Sequence, residues 1–333
     1  MKQDRRTLGI ALWGDNGHQI HGRLEKYPRL RLLAFGACGE KRADALRAAH
    51  PQARPCETLH ELLAVPGVEW VSLSSPLRSE QAGEAIAALD AGIHVYAEKP
   101  CATREADLDR ILAAAERSTA TFHEMAGTVC EQPYWAMRGL VQGGAIGEVV
   151  QVLAQKSYPF HDGRPRDEAI DGGLIAQNGV HALRFIEHIT GVRASSIEAL
   201  QTTLGETRAD SDLEMAASLM GRLENGGLFS AVANYLNPRG TGSWGNEMVR
   251  VWGTTGMIEA SDAGKRTRLV VEDKDVGPLD VSETPPDWLA CVIAHAADDE
   301  PMPFDLDTEL HPTRMVLRAR ERVGQSSDSP QCP

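Results

Sequence analysis

Short apolar runs separated by helical periodicities mark the first 125 residues. Leu8–Trp13, Arg29–Gly36, Val68–Ser74, Ile93–Ala97 and Thr121–Met125 have strand length and strand composition. Between them, Ser79–Ala91 reads as a helix closed by Gly92, and a second opens at Thr103 with Leu108, Ile111, Leu112 and Ala115 at i, i+3, i+4 and i+7. Alternation of strand and helix predicts a parallel sheet covered on both faces. From about residue 147 the pattern changes to longer strand-like runs joined by turns. Gly147–Lys156 is apolar and β-branched, Leu213–Leu223 and Leu228–Leu236 flank Glu224-Asn225-Gly226-Gly227, and Met248–Trp252 and Met257–Ala260 flank a second glycine turn. Asn-Gly between two such runs is a strong hairpin signal, so a mostly antiparallel sheet is expected. Few helices are left to cover that sheet. Its open face favours association of like chains, a homodimer or homotetramer.

Length agrees with two domains, since 333 residues exceed what one core usually organises. The boundary is expected near residue 125, with Ser326–Pro333 carrying the composition of a disordered tail. Acidic residues outnumber basic ones, 47 to 34, and the resulting net charge of −13 disfavours nucleic acid as a partner. No apolar stretch approaches the roughly 20 residues of a membrane span, and the opening Met1-Lys2-Gln3-Asp4-Arg5-Arg6 leads into a run of strand length only. A cytoplasmic protein without membrane contact is expected. Six cysteines without a Cys-x-x-Cys pair read as reduced thiols, and no His or carboxylate spacing suggests a metal.

Two places carry candidate chemistry. The first strand runs into Gly14-Asp15-Asn16-Gly17-His18-Gln19, where a dinucleotide-binding domain places a Gly-x-Gly-x-x-Gly turn against a pyrophosphate. Gly14 fills the first glycine position, Asn16 stands at the second and Gln19 at the third. The second strand ends at Gly36-Ala37-Cys38-Gly39-Glu40-Lys41-Arg42 without the acid that usually grips a ribose hydroxyl. Lys41 and Arg42 there tilt the expectation from NAD towards NADP. The second place is Ile93–Ala97 followed by Glu98-Lys99-Pro100, which puts Lys99 at the carboxyl end of a buried parallel strand, where ligands of such sheets bind.

Taken together with Glu57–Leu63, Val68–Pro76, Gly143–Val149 and Gly172–His181, these stretches resemble the family of glucose-fructose oxidoreductase, inositol dehydrogenase and rhizopine-catabolism proteins. The resemblance implies an α/β chain: a Rossmann doubly wound parallel sheet over 1–125, then an α+β substrate-binding and oligomerisation domain over 126–325 with a large open sheet. It implies hydride transfer between NAD(P) and a secondary alcohol or ketone of a sugar, cyclitol or related small molecule. Lys99 and His181 match the lysine and histidine placed beside the reacting carbon. Proton transfer suits His181 near neutral pH, and a lysine cation stabilises a developing alkoxide. Gln177 stands where the family commonly has an aspartate, so it can position but not act as a base. Arg184 and Cys130 also depart from the family pattern.

Cofactor contacts are expected from Gly14, Asp15, Asn16, Gly17, His18, Ala37, Lys41, Arg42, Ser74, Ser75, Pro76, Glu98 and Lys99. Substrate contacts are expected from Tyr158, Arg164, Asn178 and His181, with His161 and Arg166 in the same loop, while His94, His123 and His188 read as core or helix residues. Two other functions stay open: an NAD-dependent glycosidase-like relative that recycles its cofactor, and a non-catalytic nucleotide-binding sensor, admissible because of Asn16, Gln177 and Cys130.

Overall fold

The computed structural model describes residues 6–211 and 213–327, so most of the tail expected at 326–333 lies outside the described residues. The chain divides into two compact units, residues 1–126, 169–172 and 287–309 in the first, and 127–168, 173–286 and 310–333 in the second.

The first unit holds a six-stranded parallel sheet of β1 (Leu8–Trp13), β2 (Leu30–Gly36), β3 (Arg54–Cys56), β4 (Trp70–Leu73), β5 (His94–Ala97) and β6 (Phe122–Glu124). Strand order is β3-β2-β1-β4-β5-β6, which reverses between β1 and β4. Ligands of open α/β sheets sit at that reversal, outside the carboxyl ends of the strands. Every residue of β1 and β4 is buried, as expected for strands covered on both faces. The helices are α1 (Glu40–Ala49), α2 (Leu59–Leu63), α3 (Gln81–Asp90) and α4 (Glu105–Arg117). Thr58 caps α2 through its side chain, and Glu61 returns the bond to the Thr58 backbone, a reciprocal capping box. α4 buries Leu108, Ile111 and Ala114 on one side, and it starts at Glu105 with Arg104 as cap, so Thr103 lies just outside it.

A dinucleotide-binding domain follows such a turn with a helix. The structure instead has a tight 3-10 segment, Ile20–Lys26, capped by the Gln19 side chain, which accepts from Ile20 N. Gln19 explains the difference. Its buried amide donates to Trp13 O, Gly14 O and Ser72 O, and its Oε1 accepts from the Ser72 hydroxyl at 2.7 Å. A side chain thus fills the space that a third glycine would open for helix-strand contact.

The second unit carries an eight-stranded sheet: β7 (Val149–Ser157), β8 (Glu198–Thr202), β9 (Ala216–Arg222), β10 (Leu228–Asn234), β11 (Asn246–Gly253), β12 (Gly256–Ser261), β13 (Arg266–Val271) and β14 (Lys274–Gly277), ordered β14-β13-β12-β11-β7-β10-β9-β8. All neighbours are antiparallel except β7 and β10. The expected hairpin joins β9 to β10, with Asn225 Oδ1 accepting from Gly227 N at 3.1 Å. Burial in β10 alternates, Phe229, Ala231 and Ala233 inward, and one face of the sheet is packed by helical residues 175–189. The remaining helices are α5 (Tyr134–Gln142), α6 (Glu168–Asp171), α7 (Val180–Arg184), α8 (Trp288–Asp298) and α9 (Leu306–Ser327). Among the described residues no helix is long and apolar enough to cross a membrane.

Candidate functional site

In the first unit the carboxyl ends of β1, β4 and β5 converge. Gly14 takes φ +77° and Gly17 φ +121°, both in the left-handed region that favours glycine. A Cβ on Gly17 would stand 2.7 Å from the Glu98 carboxyl carbon, so the turn packs directly on the strand that carries Lys99. Asn16 N donates to Ser74 O at 3.1 Å, and the Asn16 amide donates to Pro76 O and Ile170 O. The second glycine position is therefore occupied by a side chain turned onto the β4 loop.

Glu98 is fully buried, yet its carboxylate is well matched. Oε2 accepts from His18 N at 2.5 Å, and Oε1 lies 3.0 Å from His18 Nδ1. Burial pushes the carboxyl up, but His18, Arg78 and Lys99 together hold it down to about 2. Breaking such a buried, paired charge costs several kcal/mol, on the order of 3 to 5. Lys99 is buried to 1 % exposure, at the next position along the chain.

Two residues absent from the sequence expectations organise this end of the sheet. Gln81, the first residue of α3, donates from Nε2 to Glu98 O at 2.7 Å and Pro100 O at 3.3 Å, while Oε1 accepts from Arg78 Nη1 at 2.8 Å and Ser75 N at 3.3 Å. Arg78 donates to Asn16 O at 2.6 Å. Burial lowers its pKa, partly offset by Glu98 and Asp171. A polar residue in the first turn of an otherwise Ala-rich helix was the available signal for Gln81.

Ser74 is buried, and its hydroxyl lacks a hydrogen-bond partner. An unmet hydroxyl beside two left-handed glycines, at the topological reversal of a parallel sheet, fits a bound dinucleotide phosphate or sugar. Ser75 donates to Glu84, and Pro76 follows in the same loop. Ala37, at φ +53°, follows the end of β2; Lys41 is exposed in the first turn of α1 and Arg42 is half-buried. Asp15 Oδ2 accepts from Gly39 N at 3.1 Å.

In the second unit, Gln177, Asn178 and His181 share one helical stretch in which π-helical turns, Ile175–Gly179 and Phe185–Ile189, bracket α7. Such widened turns recur at functional sites. His181 Nδ1 and the Thr128 hydroxyl share a 2.8 Å hydrogen bond. Asn178 is buried, donates to Asn234 O at 3.0 Å, and leaves Oδ1 without a partner. Tyr158 meets the His181 ring edge to face, centroids 6.2 Å apart, and Trp244 continues the row at 6.3 Å from Tyr158 and 5.8 Å from His161. Arg164 is buried with its guanidinium 3.6 Å above the Tyr235 ring and 5.8 Å from that of Tyr158. Trp244 and Thr128 were not legible as site residues. Arg166 donates to Ala209 O and belongs to the loop framework.

A cleft of about 870 Å³ in the first unit, lined by Leu112, Phe122, Met302 and Phe304 with His123 and His295, shares none of the nucleotide-turn residues. His123 is buried there, hydrogen-bonded to Glu309 and His295 at 2.8 Å each, and His188 is buried too. Among the described residues no group of three or more His, Cys, Asp or Glu is arranged to hold a metal ion.

Residues 12–125 match the family model described as "Oxidoreductase family, NAD-binding Rossmann fold", and residues 134–259 match "GFO/IDH/MocA C-terminal domain". A dTDP-3,4-didehydro-2,6-dideoxy-alpha-D-glucose 3-reductase from Streptomyces violaceoruber is 38% identical over 107 residues, 31% of each chain. The match thus spans about a third of that relative's length. Among solved structures, a chain from Thermotoga maritima described as an oxidoreductase aligns with TM-score 0.84 and 24% identity over 96% of this chain and 98% of that one. The WlbA dehydrogenase from Bordetella pertussis, solved with NADH and UDP-GlcNAcA, aligns with TM-score 0.78 and 19% identity over 98% and 99%. At these identities the structural likeness is one of fold.

Proposed function

The chain belongs to the GFO/IDH/MocA oxidoreductase family, and on that premise we propose that it moves a hydride between a nicotinamide dinucleotide and a secondary alcohol or ketone of a sugar-like molecule. The observation that carries the proposal is Lys99, buried at the carboxyl end of β5 beside an ionised Glu98 that is itself bonded to the nucleotide turn. A dinucleotide held there supplies the hydride-carrying ring. Gly14 to His18, Ser74 to Pro76 and Glu98 form its cradle.

Lys99 brings a cation to the substrate oxygen, which gains negative charge as a carbonyl is reduced. The Glu98 carboxylate at the preceding position is itself held down in part by that cation. His181 serves as the proton donor or acceptor. Thr128 suits both directions, because a hydroxyl donates to Nδ1 when Nε2 holds the proton and accepts from Nδ1–H when Nε2 must take one. Gln177 and Asn178 position the substrate, and the Tyr158 and Trp244 rings offer a surface to the apolar face of a sugar ring. The curated relative named above acts on a dTDP-linked deoxysugar, which supports a sugar substrate here.

Lys41 and Arg42 are the cations that a 2′-phosphate of NADP would meet, and Asp15 is the anion that weighs against it. The open face of the second sheet, with Leu200, Met220 and Leu228 exposed, serves as the contact between copies of the chain. The test is a screen of sugars, cyclitols and their keto forms, followed by nicotinamide absorbance. Lys99→Ala and His181→Ala should keep cofactor affinity and lose turnover; full turnover in both variants would refute the assignment.

A further inference from the structure

We propose that Asp15 sets the dinucleotide preference of this chain towards NAD and against NADP, replacing the acid that a dinucleotide domain ordinarily carries at the end of its second strand. The proposal rests on the oxidoreductase reading above.

β2 ends at Gly36, and the next residue, Ala37, has only a methyl group to offer a ribose. The carboxylate comes from elsewhere. Asp15 reaches from the nucleotide turn across 24 residues of sequence, and its Oδ2 accepts from Gly39 N at 3.1 Å. Gly39 is the residue that caps α1 and has no side chain to do so. The end of α1 that would attract a phosphate is therefore already satisfied by a fixed carboxylate of the protein.

The nearby cations do not restore an anion site. Arg42 Nε lies 3.9 Å from Asp15 Oδ2, and the Arg42 guanidinium also contacts the His21 ring. Lys41 is exposed on the first turn of α1. The charge of Asp15 is felt across the whole β2–α1 turn: the Cys38 thiol is pushed up, by burial first and by Asp15 next. A ribose 2′-hydroxyl brought to this turn finds an acceptor, whereas a dianionic 2′-phosphate meets a like charge within hydrogen-bonding reach of the same backbone N–H.

In the sequence alone, Lys41 and Arg42 are both open to a 2′-phosphate. Geometry assigns Arg42 to Asp15 and His21 and puts the acid where the phosphate would go.

The experiment is fluorescence titration of the full chain with NADH and with NADPH, reading dissociation constants without turnover. The unaltered protein should bind NADH at least about tenfold more tightly, the scale of one lost or gained charged hydrogen bond. Asp15→Asn keeps the shape, removes the charge, and should narrow that ratio about tenfold, chiefly by tighter NADPH binding. Tighter binding of NADPH by the unaltered protein, or a ratio unmoved by Asp15→Asn, would overturn the proposal while leaving the oxidoreductase reading intact. Binding of neither dinucleotide would overturn both. Should Asp15→Asn fold poorly, Asp15→Ser replaces it in the same titration, and tighter NADPH binding by the unaltered protein overturns the proposal without any variant.

Discussion

His18 and Glu98 are joined twice, by a 2.5 Å hydrogen bond from the His18 backbone and a 3.0 Å contact from its ring. The pair closes the nucleotide turn onto the strand bearing Lys99. Its energetics are open to titration. Glu98 is held down to about 2 from an unfolded value of 4.5, so folding favours its ionised form. The contribution is complete above pH 4.5 and disappears as the pH falls through about 2, with a size of about 3 kcal/mol. Chemical denaturation of Glu98→Gln should show lower stability at pH 7 and a shallower acid loss between pH 4.5 and 2 than the unaltered protein. Parallel acid profiles would remove Glu98 from this role.

Gln81 makes four hydrogen bonds that tie the Ser75 loop to Glu98 and Pro100. Gln81→Leu would leave Glu98 O, Pro100 O and Ser75 N buried and unmet, a loss of about 3 kcal/mol. For a chain of this size the melting temperature should fall by roughly 5 °C or more. Turnover should fall further than the stability loss explains, since Lys99 lies between the two carbonyls that Gln81 holds. Calorimetry together with kcat at a temperature where the variant is folded checks both.

These two residues also mark what a sequence discloses. Lys99 stands out in the sequence because it follows a buried apolar strand, and ligands of parallel sheets bind at the carboxyl ends of the strands. Gly14 was legible because few other residues tolerate its backbone angles. Gln81 was not, since three of its four partners are backbone atoms, spread over the loops after β4 and β5. Asp15 reads as a cofactor contact from its place in the turn, but its bond to Gly39 does not, because a motif cannot record a contact 24 positions away. In the second unit the π-helical turns around His181 follow no apolar period, and β14, exposed at three of its four residues, shows none of the alternation that marks β10.

Thr128 and His181 share a single 2.8 Å bond, so the hydroxyl acts through the imidazole. Thr128→Val preserves shape and removes the bond. The expected result is a fall in kcat of about tenfold with KM nearly constant, and recovery in Thr128→Ser. A change in KM alone, or in melting temperature alone, would make the contact structural only.

The open sheet face predicts an assembly. Leu200 is 77% exposed and Met220 61% exposed, on strands β8 and β9 that pair through Leu200–Ser218 and Glu198–Met220, so both project from the same face. Light scattering should find at least a dimer. Leu200→Glu with Met220→Glu should yield monomers that keep the secondary structure of the parent; a monomeric parent would refute the interface.

Trp244 is 61% exposed, an unusual position for the largest apolar side chain, and its ring stands 6.3 Å from Tyr158, which in turn stands 6.2 Å from His181. Covering such a ring with the apolar face of a sugar recovers on the order of 1 to 2 kcal/mol. Trp244→Ala should therefore raise KM for the substrate by about tenfold, leave the NADH dissociation constant unchanged, and hardly alter the melting temperature, because little of the side chain is packed. Trp244→Phe should recover most of the loss. An unchanged KM in Trp244→Ala would place the substrate on the Asn178 side of His181 instead, where the unpartnered Asn178 Oδ1 is the next group able to orient a hydroxyl.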